Sequence, residues 1–250
     1  MLFRSEQTNQ VNTFIANKAD VLIMNLVQSS AASTIIDLCK NAKLPVVFIN
    51  REPTADDMNL WDKIAYVGAD ARQSGTFQGE IITDLANKGD LNGDGTIDYV
   101  MVVGDPENVD AQYRTEFSIK AVEAAGMKVN KLVEQRGDWM QEKGQEIVAS
   151  ALAQYGNQIE VVFCNNDGMA LGALQAIKAA NRTVGKDIYL VGVDALDEVV
   201  ALVNSGEMTG TVLNDAVGQS HTAADVAIKA IAGETLQKNY TVDYVKVVKK

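Results

Sequence analysis

Short apolar runs recur along this chain at close intervals, each followed by an amphipathic stretch. Val21-Leu22-Ile23-Met24, Pro45-Val46-Val47-Phe48-Ile49, Ile64 to Gly68, Tyr99-Val100-Met101-Val102-Val103, Val161-Val162-Phe163-Cys164, Ile188 to Val193 and Gly210 to Leu213 are too short for helices. Strands this uniformly apolar belong to parallel sheets covered on both faces. Between them, residues 30–42, 74–87, 110–125, 141–155, 168–180, 197–204 and 216–231 carry helical spacing, as Ala31, Ile35 and Leu38 do in the first. A further helix is predicted over 6–18, an extended segment at 131–133 and a closing strand region over 240–248. This alternation predicts an α/β architecture. Three prolines in 250 residues suit regular elements joined by short turns. Met1-Leu2-Phe3-Arg4-Ser5 reads as a non-native start and is set aside; no secretory signal is visible in the sequence.

The residues that close the strands carry more information than the strands. Asn25, Asn50, Asn165-Asn166-Asp167, Asp194 and Asn214-Asp215 each follow an apolar run. Any one of them is accounted for as a turn or helix-cap residue. Together they line the strand ends where open α/β sheets bind ligands. Amides and carboxylates offer paired donors and acceptors, which suits a neutral polyhydroxyl ligand. A phosphate ligand would want a Gly-rich loop with Lys, and neither a Walker A nor a G-x-G-x-x-G fingerprint occurs. A net charge of −11 argues against a nucleic-acid groove or an anionic membrane surface. No apolar run reaches the roughly 18 residues of a membrane span. Cys39 and Cys164 are too few for a disulfide scaffold or zinc site, and both read as buried apolar groups. His221, the one histidine, reads as a surface or packing residue.

Asp90-Leu91-Asn92-Gly93-Asp94-Gly95-Thr96-Ile97-Asp98 places oxygen ligands at positions 1, 3, 5 and 9 of a calcium loop, with Gly at position 6. Position 7, Thr96, would offer its backbone carbonyl. The twelfth position is Met101 instead of a bidentate Glu, so a carboxylate from elsewhere would have to close the shell. The competing reading is a polar turn before a strand.

Several stretches in order resemble the periplasmic glucose/galactose-binding proteins of bacterial ABC importers. They are Ile23-Met24-Asn25-Leu26-Val27, Val46-Val47-Phe48-Ile49-Asn50, Gly104-Asp105-Pro106 with Asp110-x-x-x-Arg114, Trp139, Ile159-Glu160-Val161-Val162, Asn165-Asn166-Asp167-Gly168-Met169-Ala170, Gly192-Val193-Asp194-Ala195-Leu196 and Gly210-Thr211-Val212-Leu213-Asn214-Asp215. The resemblance runs from about Glu6 to Val248. It implies a two-lobed type I periplasmic-binding-protein fold, each lobe a parallel sheet flanked by helices. Residues 6–69 plus 216–243 would form the first lobe, and 70–215 plus 244–250 the second, with the lobes closing over a sugar. The resemblance implies that Asn25, Asp110, Arg114, Asn166, Asp194 and Asn214 hydrogen-bond the sugar and that Trp139 stacks on it. It implies a structural calcium ion held by Asp90, Asn92, Asp94, Thr96, Asp98 and Glu160.

Two departures stand out. Asn108 occupies a place where the family usually has His, which leaves the preferred sugar open. The family's first strand and helix have no counterpart ahead of Glu6, so an incomplete first lobe and weak affinity are expected. The implied partners are a monosaccharide, an importer permease and a chemoreceptor, with no nucleic acid, in a monomeric, non-enzymatic protein of the periplasm or another extracytoplasmic space. The alternatives are a transcription regulator's effector domain, whose DNA-binding headpiece the sequence does not show, a glycosidase using Asp110 and Asp194, or a binding protein for ribose or an amino acid.

Overall fold

The chain's structure, a computed structural model, describes residues 4–249. Met1 to Phe3, within the stretch expected to be non-native, and Lys250 lie outside the described residues. The chain divides into two compact units, one of Met1–Ala69 with Asp215–Asp243 and one of Asp70–Asn214 with Tyr244–Lys250. Asp215 falls in the first unit, where its side chain accepts the N–H of Gly218 and caps the following helix.

In the first unit the elements are α1 (Arg4–Ala16), β1 (Leu22–Met24), α2 (Ala32–Ala42), β2 (Val46–Ile49), α3 (Ala55–Met58) and β3 (Ile64–Gly68). They are completed by α9 (Ala216–Ile231) and β9 (Asn239–Thr241). The strands form one parallel sheet in the order β1-β2-β3-β9. Alternation along β2 sends Val46 and Phe48 to one face, against Ile35, Ile36 and Cys39 of α2. Val47 faces the other way, with Ala65 and Val67 of β3, onto Ala223, Val226 and Ala227 of α9. His221 is exposed on α9.

The second unit holds α4 (Ala71–Thr83), β4 (Thr96–Val103), α5 (Val109–Ala124), β5 (Lys128–Arg136), α6 (Gln141–Tyr155) and β6 (Val161–Cys164). It continues with α7 (Asp167–Ala179), β7 (Tyr189–Val191), α8 (Asp197–Ser205), β8 (Gly210–Leu213) and β10 (Val245–Val248). The sheet order is β10-β8-β7-β6-β4-β5. Val100 and Val102 of β4, Val162 and Cys164 of β6 and Leu190 of β7 pack beneath α6, α7 and α8. On these central strands Tyr99 and Phe163 meet edge to face, 6.0 Å apart at 83°.

Two expectations need correction. The closing region 240–248 is two strands, not one: Val242 N–H bonds to the Gly68 carbonyl in the first unit, while Tyr244 N–H bonds to Gln73 Oε1 in the second. The chain changes unit between them, so β9 and β10 join different sheets. The second sheet is also not wholly parallel, because β10 returns antiparallel to β8. Cys39 and Cys164 are buried free thiols, one in each unit.

Candidate functional site

The second sheet reverses its winding between β4 and β6: β5 lies outward on one side, and β7 and β8 on the other. At such a switch point the loops leaving the carboxyl ends of neighbouring strands part, and a crevice opens. β4 ends there at Val103 and leads into the cap of α5. Asn108 accepts the Asp110 N–H at 2.8 Å and starts that helix. One turn further on, Arg114 is 4% exposed. Its Nη1 donates to the Asn165 carbonyl at the end of β6 (2.8 Å), and its Nη2 to the Tyr244 hydroxyl (3.1 Å). Asn165, fully buried, accepts the Gly104 N–H at 3.0 Å through Oδ1. The two central strand ends are thereby tied together.

Around Arg114 stand Asp110, Asp194 and Tyr244. Burial works against the guanidinium's charge, but Tyr244, Asp194 and Asp110 outweigh it and hold Arg114 firmly protonated. Burial also pushes the Asp194 carboxyl up, while Arg114 and a hydrogen bond from Asn214 pull it back. The Tyr244 phenol is raised, chiefly by burial. Trp139 follows β5, with Asp138 and Trp139 both left-handed at φ 51° and 66°. That turn lays the indole on the backbone of Gly104, where a Cβ would lie 2.4 Å from the ring. Only glycine fits so close an approach. The Arg114 guanidinium carbon lies 5.8 Å from the Trp139 ring centre. Asn166 caps α7 by accepting the Met169 N–H (3.0 Å) and donates to the Trp139 carbonyl (3.4 Å). Among the described residues, Arg114 Nε and Trp139 Nε1 are buried donors without a protein acceptor.

Thus the second unit brings Asn108, Asp110, Arg114, Trp139, Asn166, Asp194 and Asn214 to strand ends of one sheet. Asn25 lies in the first unit, exposed just after β1, its carbonyl accepting from Gln7 Nε2 at 2.8 Å.

The acidic loop lies ahead of β4. Asp90 accepts the N–H groups of Gly93 (2.7 Å) and Gly95 (2.8 Å), Asn92 that of Asp94 (2.8 Å), and Asp94 that of Thr96 (2.8 Å). Gly95 takes φ 84°, the sharp turn expected at this position. Asp98 accepts from Asn130 Nδ2 at 2.6 Å. Glu160, 2% exposed, reaches the loop from the start of β6. Its Oε1 accepts from Leu91 and Asn92 N–H (2.6 and 3.0 Å) and its Oε2 from Asp98 N–H (2.9 Å). Burial pushes this carboxyl up, three backbone N–H groups hold it down, and Asp90 raises it. Among the described residues the acidic side chains are not gathered into a metal cage. The donor set is nonetheless all hard oxygen, and Asp90 and Glu160 repel one another where a cation would relieve them.

A family model for the periplasmic binding protein domain matches residues 4–235. The chain belongs to that family. As a periplasmic binding protein it is a solute binder and not an enzyme. It is 38% identical over 236 residues to the D-galactose/methyl-galactoside binding periplasmic protein of Haemophilus influenzae, covering 93% of this chain and 70% of that one. It is 28% identical over 232 residues to the ribose import binding protein of Salmonella typhimurium, covering 92% of this chain and 72% of that one. Among solved structures it is similar to an ABC transporter solute binding protein from Bacillus halodurans with bound myo-inositol. There the TM-score is 0.85 at 26% identity, covering 98% of this chain and 80% of that one.

Sequence reasoning placed Asn165 and Asp167 among the polar strand ends without assigning either a partner, and gave Tyr244 no role. Asn165 and Asp167 flank the cap residue Asn166 in one polar run, but nothing local says which partner each takes. Tyr244 sits 130 residues from the arginine it meets.

Proposed function

We propose that this protein binds a monosaccharide of the galactose and glucose type at the strand ends of its second unit and delivers it to an ABC importer. The observation that carries the reading is the group Arg114, Asp110 and Asp194. Arg114 is pinned by two protein oxygens, so its charge and orientation are fixed before any ligand arrives. Carboxylates accept from hydroxyls that a neutral sugar presents in adjacent pairs, and the guanidinium donates to the same oxygens. The unpartnered Arg114 Nε and Trp139 Nε1 are two further donors that an oxygen-rich ligand can satisfy. Trp139 adds a flat apolar surface at low entropic cost. Asn108 spends its Oδ1 on the helix cap, so its part in recognition falls to its NH₂ group. Asn166 and Asn214 complete the polar set. The Haemophilus influenzae relative, a galactose and methyl-galactoside binder by name, supports the hexose.

The same reading gives the acidic loop a structural calcium ion. Asp90, Asn92, Asp94, Asp98, the Thr96 carbonyl and Glu160 would hold it, and the ion would neutralise the repulsion between Asp90 and Glu160. The reading also places the protein in the periplasm, with the importer's permease and a chemoreceptor as partners.

Calorimetry with D-galactose, D-glucose, D-ribose and myo-inositol, each with calcium and with a chelator, tests this. Saturable binding of a hexose without turnover is the expected result. Ribose or myo-inositol binding more tightly than either hexose would overturn the hexose assignment. No saturable binding to any of the four would overturn the sugar reading as a whole.

A further inference from the structure

Asp167 opens α7 and is 0% exposed, yet no ion pair reaches it among the described residues. Outside α7, its hydrogen bonds run to the turn after β7 and to β8. Its N–H donates to the Val193 carbonyl (2.7 Å), its Oδ2 accepts the Leu196 N–H (2.9 Å), and its Oδ1 accepts the Thr211 hydroxyl (2.7 Å). The Ala195 N–H also points to it. Gly192 lies so close that a Cβ there would come within 2.2 Å of Oδ1. The turn so gripped is strained: Asp194 has φ 125° and Ala195 φ 53°, values that non-glycine residues rarely adopt. It is this turn that directs the Asp194 carboxylate toward Arg114 and Asn214.

The grip calls for an acceptor-only group. A carboxylate can receive the turn's N–H groups and the Thr211 hydroxyl at once, whereas an amide has one accepting oxygen. Burying it costs stability, because charge is poorly solvated there. The carboxyl is accordingly pushed up to about 6, mainly by burial, with Thr211 and the Leu196 amide holding it down and Asp194 raising it. Asp194 and the buried Cys164 thiol of β6 are the titratable groups facing it.

We propose that Asp167 is a positioning residue: without touching the ligand, it locks the strained Asp194–Leu196 turn so that Asp194 is aimed before binding. The ligand's identity here rests on the sugar reading above. The experiment uses the full chain and three variants, Asp167→Ala, Asp167→Asn and Thr211→Val. Affinity for D-galactose and D-glucose is read by calorimetry, and hydrogen exchange is read at the Ala195 and Leu196 amides. Asp167→Ala should weaken the sugar about tenfold or more, the scale of one lost hydrogen bond to the Asp194 carboxylate. Exchange at Leu196 should quicken while the amides of β6 and β7 stay protected. Asp167→Asn keeps one acceptor for Leu196 and should recover most of the affinity. Thr211→Val, which removes one anchor, should fall between the two.

A purely structural role predicts a lower melting temperature for Asp167→Ala with unchanged sugar affinity and unchanged Leu196 exchange, and that result would overturn the proposal. Should Asp167→Ala fail to fold, the double variant Asp167→Asn/Thr211→Val takes its place; affinity and exchange equal to wild type would then sink it. If wild type binds neither sugar, the sugar reading fails on its own. The exchange comparison still decides the positioning role: faster Leu196 exchange upholds it, and equal exchange overturns it.

Discussion

The stability of Asp167→Asn relative to wild type should rise between pH 4 and pH 7.5, on top of a pH-independent cost for the acceptor the gripped turn no longer has. The carboxyl is fully buried, and its pKa rises from the ordinary 3.8 to about 6. A tenfold change in proton affinity is worth about 1.4 kcal/mol, so the charged form is disfavoured in the folded protein by about 3 kcal/mol. The folded state holds this proton more tightly than the unfolded chain does. The stabilisation is therefore fully present below about pH 4 and is lost as pH rises through about 6. Asparagine does not titrate, so the variant escapes the loss. Glu160 is also shifted upward, but it is common to both proteins and cancels in the difference; Asp194 repels the Asp167 carboxylate, so its own slope becomes shallower in the variant and adds a change of the same sign. Urea unfolding of both proteins at closely spaced pH values from 4 to 7.5 measures that difference directly. It should grow by about 2.5 kcal/mol across the range, most steeply between pH 4 and 6. A difference that is flat with pH, or that widens toward acid, would refute the reasoning, because the folded carboxyl would then not be raised.

Arg114→Lys keeps the charge but cannot serve both the Asn165 carbonyl and the Tyr244 hydroxyl as a fixed fork; a loss of about 1–3 kcal/mol in stability and a clear fall in sugar affinity are expected by melting and calorimetry. Gly104→Ala drives a methyl group into the Trp139 ring, so about 1–3 kcal/mol of destabilisation should accompany a shifted tryptophan emission and weakened sugar binding. Glu160→Gln should abolish any rise in melting temperature on adding calcium to chelated protein; an undiminished rise would remove Glu160 from the ligand set.

The central strands of both sheets are legible in the sequence because runs such as Val161-Val162-Phe163-Cys164 are buried on both faces and leave no other solution. Helix starts are less so. α4 begins at Ala71, ahead of the expected residue 74, because Asp70 accepts the Arg72 N–H and begins the helix before its apolar spacing does. β5 is expected only over 131–133 but runs Lys128–Arg136, since its exposed edge position dilutes the apolar signal. In the site, the polar strand ends mark the place, yet the division of labour within Asn165-Asn166-Asp167 is invisible locally. One residue ties two strands through Gly104, the next caps its own helix at Met169 and the third grips a turn at Leu196, and the residue types alone do not say which does which. The left-handed Asp138 and Trp139 are equally silent, because neither residue type announces that geometry.

The three crossings between the units also govern when each can be assembled during synthesis. Tyr244 N–H closes on Gln73 171 residues earlier, and Lys238 reaches the Trp61 carbonyl 177 residues earlier. Once residue 69 has been translated, β1, β2 and β3 exist without the α9 and β9 that pack on and pair with them. The face of Val47, Ala65 and Val67, which α9 covers, must wait while the whole central segment is translated. Contacts this distant in sequence form late and slowly. The segment of β1 to β3 is thus a stretch in need of a chaperone's protection, and a nascent-chain pull-down at successive lengths should find it held until residues 215–243 have emerged.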